Sequence, residues 1–126
     1  MADYLTTLVS PRGTLFFNEP AQAATLNSNI FAKNSPTIFG VIGDATSNTT
    51  EDVYIKFYSG SSDATVGSTD PVMVLKVPAG TKVEFFFPDG ATGENSEYVS
   101  IAVVQESGTA GTTAPTGTVA VTVLGA

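Results

Sequence analysis

The sequence predicts an all-β protein, a single β-sandwich of about eight antiparallel strands, and three observations carry that expectation. Apolar and polar residues alternate with a period of two in three separate segments. Helix signals are almost absent. Clusters of Gly, Pro, Asn, Asp and Ser recur at the short spacing of turns between strands. Two such sheets bury their apolar faces against each other, and a jelly-roll-like strand order is one form of that architecture. At 126 residues the chain fits one domain. Residues 1–20 read as a less regular N-terminal arm or first strand, and 21–126 as the sandwich.

The expected strands follow in order. Thr14–Phe17 is short and aromatic. Glu19–Leu26 is the one helix candidate, with Pro20 suited to a first helical position and three alanines behind it, though a single turn fits equally well. Thr25–Ala32 and Thr37–Ile42 come next. In Asp52–Tyr58, Val53, Ile55 and Phe57 face one way while Tyr54, Lys56 and Tyr58 face the other. Pro71–Val77 leads into the turn Pro78-Ala79-Gly80-Thr81, where Gly80 can supply a positive φ. Lys82–Phe87 sets Val83, Phe85 and Phe87 against Lys82 and Glu84, and Pro88-Asp89-Gly90 reads as a breaker. Tyr98–Gln105 and Gly117–Leu124 complete the set, the last with Val119, Val121 and Val123 on one face. The polar stretch 106–117 between them reads as a long loop, either mobile or ordered by contact with something else.

Composition narrows the chemistry. There is no Cys, His or Trp, which removes thiol and imidazole nucleophiles, imidazole bases and Cys- or His-ligated metal sites. Charged residues make up only 13% of the chain, about half of the ~25% usual for soluble domains. The surface is therefore rich in Ser, Thr, Asn and Gly, as is common in proteins packed against neighbours. Net charge is −7, and Lys33, Lys56, Lys76, Lys82 and Arg12 form no patch, so nucleic acid is not an expected partner. No apolar run approaches the ~20 residues of a membrane helix, and MADYLTTLVSPRG lacks the features of a secretory signal. Synthesis and folding in a cytoplasm are expected.

The segment YIKFY, followed by Thr65-Val66-Gly67, Asp70-Pro71-Val72 and Val77-Pro78-Ala79-Gly80, resembles a pattern in small structural proteins of tailed bacteriophages. The resemblance covers roughly Ile30 to Phe87. It departs from the pattern at Phe39–Asp44, where Gly-Asp stands in place of an Asn-containing turn. It implies a β-sandwich virion component on the capsid exterior, above all a capsid decoration (cement) protein that binds the major capsid protein or other virion proteins. A homo-oligomer, with a trimer favoured because local threefold junctions are common docking places, is part of that expectation. The alternative is a host-recognition or fibre-tip module that binds glycans. No catalytic residue and no cofactor is implied.

Candidate sites read from the residues agree with a non-enzymatic role. Glu51 and Asp52 are adjacent at the head of a strand, point to opposite faces and are badly placed as a glycosidase pair. Asp89, Glu94, Asn95 and Glu97 offer oxygen ligands, but their spacing departs from a calcium loop and no metal site is assigned. Asn48-Thr49-Thr50 fits the glycosylation pattern by chance. The expected interface has two parts. Tyr54, Tyr58 and Phe86 lie on strand faces opposite the core, where a loop, arm or second subunit would cover them. Tyr4, Leu5, Leu8, Phe16 and Phe17 are too apolar for a free tail and dock on the sandwich, on a symmetry mate or on a shell, or add a strand to the sandwich edge.

Overall fold

The computed structural model describes residues 15–33, 35–60, 64–92 and 98–126. Among them are seven strands, β1 (Leu15–Glu19), β2 (Thr37–Ser47), β3 (Val53–Gly60), β4 (Met73–Val77), β5 (Lys82–Thr92), β6 (Tyr98–Val104) and β7 (Thr118–Gly125), and no helix. One sheet has the order β1-β7-β2-β5 and the other β4-β3-β6. Every pairing is antiparallel. The chain is all-β with two packed sheets, as the alternation predicts.

The inward residues are those the period of two selects. Val41 and Ala45 from β2 and Val119, Val121 and Val123 from β7 meet Val53, Ile55 and Phe57 from β3, Val77 from β4 and Val99, Ile101 and Val103 from β6. Val83, Phe85 and Phe87 pack at the margin of this cluster. At Gly43 the sheets come so close that a Cβ would stand 2.6 Å from Val77 Cγ2 and 3.0 Å from Ile55 Cδ1. Only a residue without a side chain fits there, because a packed interior has no room to give.

The stretch expected as a strand over Thr25–Ala32 is not a regular one. It nevertheless runs along the free edge of β6: Val103 N donates to Ala23 O, Asn27 and Ile101 exchange both backbone bonds, and Ile30 N donates to Val99 O. Left-handed backbone at Asn29 (φ 49°) and Ala32 (φ 51°) breaks the extended conformation and turns the chain away. The Glu19–Leu26 candidate forms no helix. Pro20 and Ala21 make a turn, the Gln22 amide goes to Val119 O, and the buried Gln22 side chain donates to Ala23 O and Thr25 O while accepting from Asn27. Pro88-Asp89-Gly90 does not end its strand either. β5 continues to Thr92, and the pairing with β2 jumps from Gly40–Phe86 to Ile38–Ala91, so these residues form a bulge in which Gly90 has φ 81°. Gly80 has the expected positive φ, 70°.

Pairing along the chain is nested. β3 pairs with β4, β2 with β5, segment 23–30 with β6, and β1 with β7, each pair enclosing the one before. Two further pairings, β2 with β7 and β3 with β6, close the sheets. At one end of the sandwich a fully buried Asn48 joins three loops. Its amide donates to Glu51 O at 2.9 Å, its Oδ1 accepts from Gly117 N at 2.6 Å, and its carbonyl accepts from Gly80 N at 2.9 Å. That burial also withdraws Asn48 from any glycosylation of the folded chain. Asn48→Ala leaves Glu51 O and Gly117 N without a partner, and a loss of about 2–4 kcal/mol is expected in urea unfolding, with an unchanged m-value.

Candidate functional site

A sandwich has two outer faces, and this chain treats them differently. On the smaller sheet the outward residues Lys56, Ala102 and Val104 have no solvent exposure, and Tyr58 and Ser100 are buried as well. The 105–117 loop reaches over Lys56. Lys56 Nζ donates to Gly108 O and also approaches Gly111 O at 3.5 Å. The loop holds its own shape through Gln105 N to Thr113 O, Gln105 Nε2 to Ala114 O, and a Glu106 carboxylate that accepts from the amide and hydroxyl of Thr113. Thr109 Oγ1 ties it to Asp70 at 2.7 Å, and Thr116 N to Glu51 at 2.8 Å. The loop is thus ordered, and what orders it is the chain's own sheet.

Lys56 is the residue that sequence reading passed over. Burial holds its ammonium below the ordinary lysine range, against the opposing pull of the Glu106 carboxylate. The signal was present: a lysine at the centre of YIKFY, in a strand otherwise apolar or aromatic, has to find acceptors somewhere. Tyr58, beside it on the same face, is buried with its hydroxyl unpaired among the described residues, and burial raises its pKa. Tyr54 is half-buried between Lys76 of β4 and Val104 of β6.

The larger sheet keeps its outer face open. Phe16 is 68% exposed and Phe86 63%. They stand on the two edge strands and in one cross-strand row: Phe16 is opposite Leu124, Leu124 opposite Gly40, and Gly40 opposite Phe86. The Phe86 ring leans across Gly40, coming within 3.4 Å of where a Cβ would be, with Leu124 at 3.6 Å on the other side. The next row is Asn18, Thr122, Ile42 and Glu84, and the one after it contains Ala120, Asp44 and Lys82. The face therefore grades from apolar at the Phe16 end to polar beyond.

The expected interface set divides accordingly. Tyr4, Leu5 and Leu8 lie outside the described residues. Phe16 and Phe86 share the open face. Phe17, its neighbour, points the other way and packs on the core. Tyr54, Tyr58 and Phe86 do not form one surface, because β3 and β5 belong to different sheets and their outward sides face opposite directions. Tyr58 is closed off by its own chain and is withdrawn as an interface residue of the folded protein.

The acidic candidates serve the turns. Asp52 accepts from Ala79 N at 2.9 Å and pairs with Lys76 at 3.4 Å. Of the acidic loop, Glu94 and Glu97 lie outside the described residues, and no group of three acidic side chains converges among the described ones. The groove between Ala21–Ala23 and Ala114–Val119 is lined by no charged side chain. The sequence matches no protein-family model and no curated protein, and the fold matches no solved structure.

Lys56→Met removes the donor to Gly108 and Gly111 while keeping an apolar side chain of similar length. Hydrogen exchange at the Gln105, Gly111 and Thr113 amides should then accelerate at least about tenfold, with global stability shifted by no more than about 2 kcal/mol. Hydrogen bonds hold three carboxyls below their ordinary range: Thr46 bonds for Asp44, the Ala79 amide and Lys76 for Asp52, and the Thr113 hydroxyl for Glu106. Depressed acids contribute stability that is complete above their unfolded pKa and is lost as pH falls through the folded one. Melting temperature should therefore be flat from about pH 5 to neutrality and fall below about pH 4, and Glu106→Gln should reduce that acid-side slope.

Proposed function

We propose that this chain is a non-enzymatic virion structural protein, and specifically a capsid decoration (cement) protein that binds the major capsid protein on the outer shell of a tailed bacteriophage. The observation that carries the reading is the nested pairing. The nesting, with segment 23–30 bonded along β6, supports reading the sandwich as a jelly roll, an architecture used by many capsid and lectin domains. Fold alone does not give function, so two further features matter. The sequence of Ile30–Phe87 resembles small phage structural proteins. The surface combines sparse charge with large apolar groups left over after folding, namely Phe16, Phe86, Val72 and Val74. A protein that clamps a preformed lattice needs a stiff body and contact surface of this kind rather than a reactive cleft.

The glycan-binding alternative has less support. It draws on the aromatics Tyr54, Tyr58 and Phe86 and on the 106–117 loop; of these Phe86 stays open, Tyr54 is half-buried, Tyr58 is buried and the loop is tied down on Lys56. The test is to mix purified protein with empty shells of the phage that encodes it. Co-sedimentation should saturate at a fixed ratio to the shell subunit, and the decorated shells should disrupt at a temperature several degrees higher. Absence of binding to shells, together with saturable binding to host cells or glycans, would reject the decoration role.

A further inference from the structure

We propose that the free edge of β1 is a strand-binding site and that its occupant is the chain's own Leu5–Val9, folded back through the turn Ser10-Pro11-Arg12-Gly13-Thr14. This goes beyond the virion reading and does not depend on it. Residues 1–14 lie outside the described residues, and what bears on them is their sequence and the edge they lead into.

The hydrogen-bond pattern fixes which groups that edge offers. Ala126 and Thr37 exchange both backbone bonds, which turns the main chain of Ala126 toward β2. Alternation along β7 then turns Leu124 and Thr122 toward β2 as well, and Gly125, Val123 and Val121 toward β1. Val119 O, which accepts from Gln22 N just beyond the end of β1, agrees. The partners Leu15, Phe17 and Glu19 are thereby used. The N–H and C=O groups of Phe16 and Asn18 face an edge with no partner strand among the described residues.

The preceding turn matches that edge. Ser10, Pro11 and Gly13 stand where a type I turn prefers serine, proline and glycine, and Gly13 also suits the left-handed residue that completes a three-residue hairpin loop. Such a loop sets Ser10 against Thr14 as a hydrogen-bonded pair, so Leu8 bonds Phe16 and Thr6 bonds Asn18. Those are the two residues of β1 whose groups are open. A slip of one residue would put turn and edge out of phase. In this register Val9, Thr7 and Leu5 come alongside Leu15, Phe17 and Glu19, of which Leu15 and Phe17 are only half-buried at the margin of the core. Leu8 comes beside the exposed Phe16 on the open face.

The two edges of the sheet differ in the same sense. β5 carries Lys82 and Glu84, charges of the kind that deter strand addition, whereas β1 has no charge before Glu19 at its end. A short turn holds the segment at high local concentration, which favours the chain's own arm over that of another copy. Bound in this way, the N-terminus guards an edge and is not a tether to a shell.

Amide exchange on the full chain, followed by NMR, tests the pairing. The Phe16 and Asn18 amides should be slowed at least about a hundredfold against unstructured rates. Hα–Hα contacts should join Thr7 to Phe17 and Val9 to Leu15, the closely spaced pairs of the register. Gly13→Val, which disfavours the left-handed turn, should cut the protection of Phe16 and Asn18 at least about tenfold, while Thr122 and Leu124 of β7 keep theirs within about twofold. The chain has no cysteine of its own, so a Val9→Cys/Leu15→Cys double variant gives a second readout that does not depend on Gly13→Val. It should close an intrachain disulfide and run as a monomer. Unprotected Phe16 and Asn18 amides, protection indifferent to Gly13→Val, contacts in another register, or covalent dimers in place of the intrachain bond would each overturn the proposal.

Discussion

A lysine ammonium without solvent exposure has to be given oxygen acceptors, and in this protein that requirement decides which surfaces remain for anything else. Lys56 lies at the centre of β3 on the outward side of the smaller sheet. Its needs are met by backbone carbonyls of the 105–117 loop, which commits the loop to lying across β3 and β6. Tyr58, Ala102 and Val104 on the same side are buried as well, residues that alternation alone would send into solvent. Desolvating a charge is costly, and removing one partner of such an arrangement is costlier still than never having built it. The loop is therefore better regarded as a third layer of the fold than as a connection.

With one outer face closed in this way, the asymmetry of the molecule follows. The larger sheet has no comparable buried cation and no covering segment among the described residues, and its outward row stays apolar from edge to edge. The proposed roles draw on that difference: a rigid body, one outer face closed along β3 and β6, and one that still has surface to bury.

Much of this was legible in the sequence. Seven of the eight expected strands appear with bounds shifted by a few residues at most, apart from the longer β2 and β5, because half-buried strands write their pleat into the residue order. Phe85, Phe86 and Phe87 show what the pleat conveys and what it omits. It says correctly that Phe86 leaves the core, but not which sheet carries it, since that is fixed by pairings between residues far apart in the chain. Tyr54 and Tyr58 were therefore grouped with a ring on the opposite side of the molecule. Thr25–Ala32, expected as a strand, departs in a different way. Its edge-wise bonds to β6 are those of a strand, but left-handed backbone at Asn29 and Ala32 interrupts it before β2. Pro88-Asp89-Gly90 carries all the marks of a turn and yields only a bulge, because β2 continues to pair beyond it. Lys56 was visible as an anomaly, but its acceptors lie more than fifty residues downstream.

The nested connectivity also bears on how the chain comes to be folded at all. β7, the last of the seven strands in chain order, is inserted between β1 and β2, so the centre of the larger sheet is completed by the latest of these strands. Until then β1 has no partner strand among the described residues, and β2 offers an unpaired edge to any passing chain. Contacts spanning nearly the whole sequence form slowly because the intervening loop has to be closed first. Nascent chains halted before Thr118 are thus the dangerous species: sticky, half-built and short of the single ribbon that would seal them.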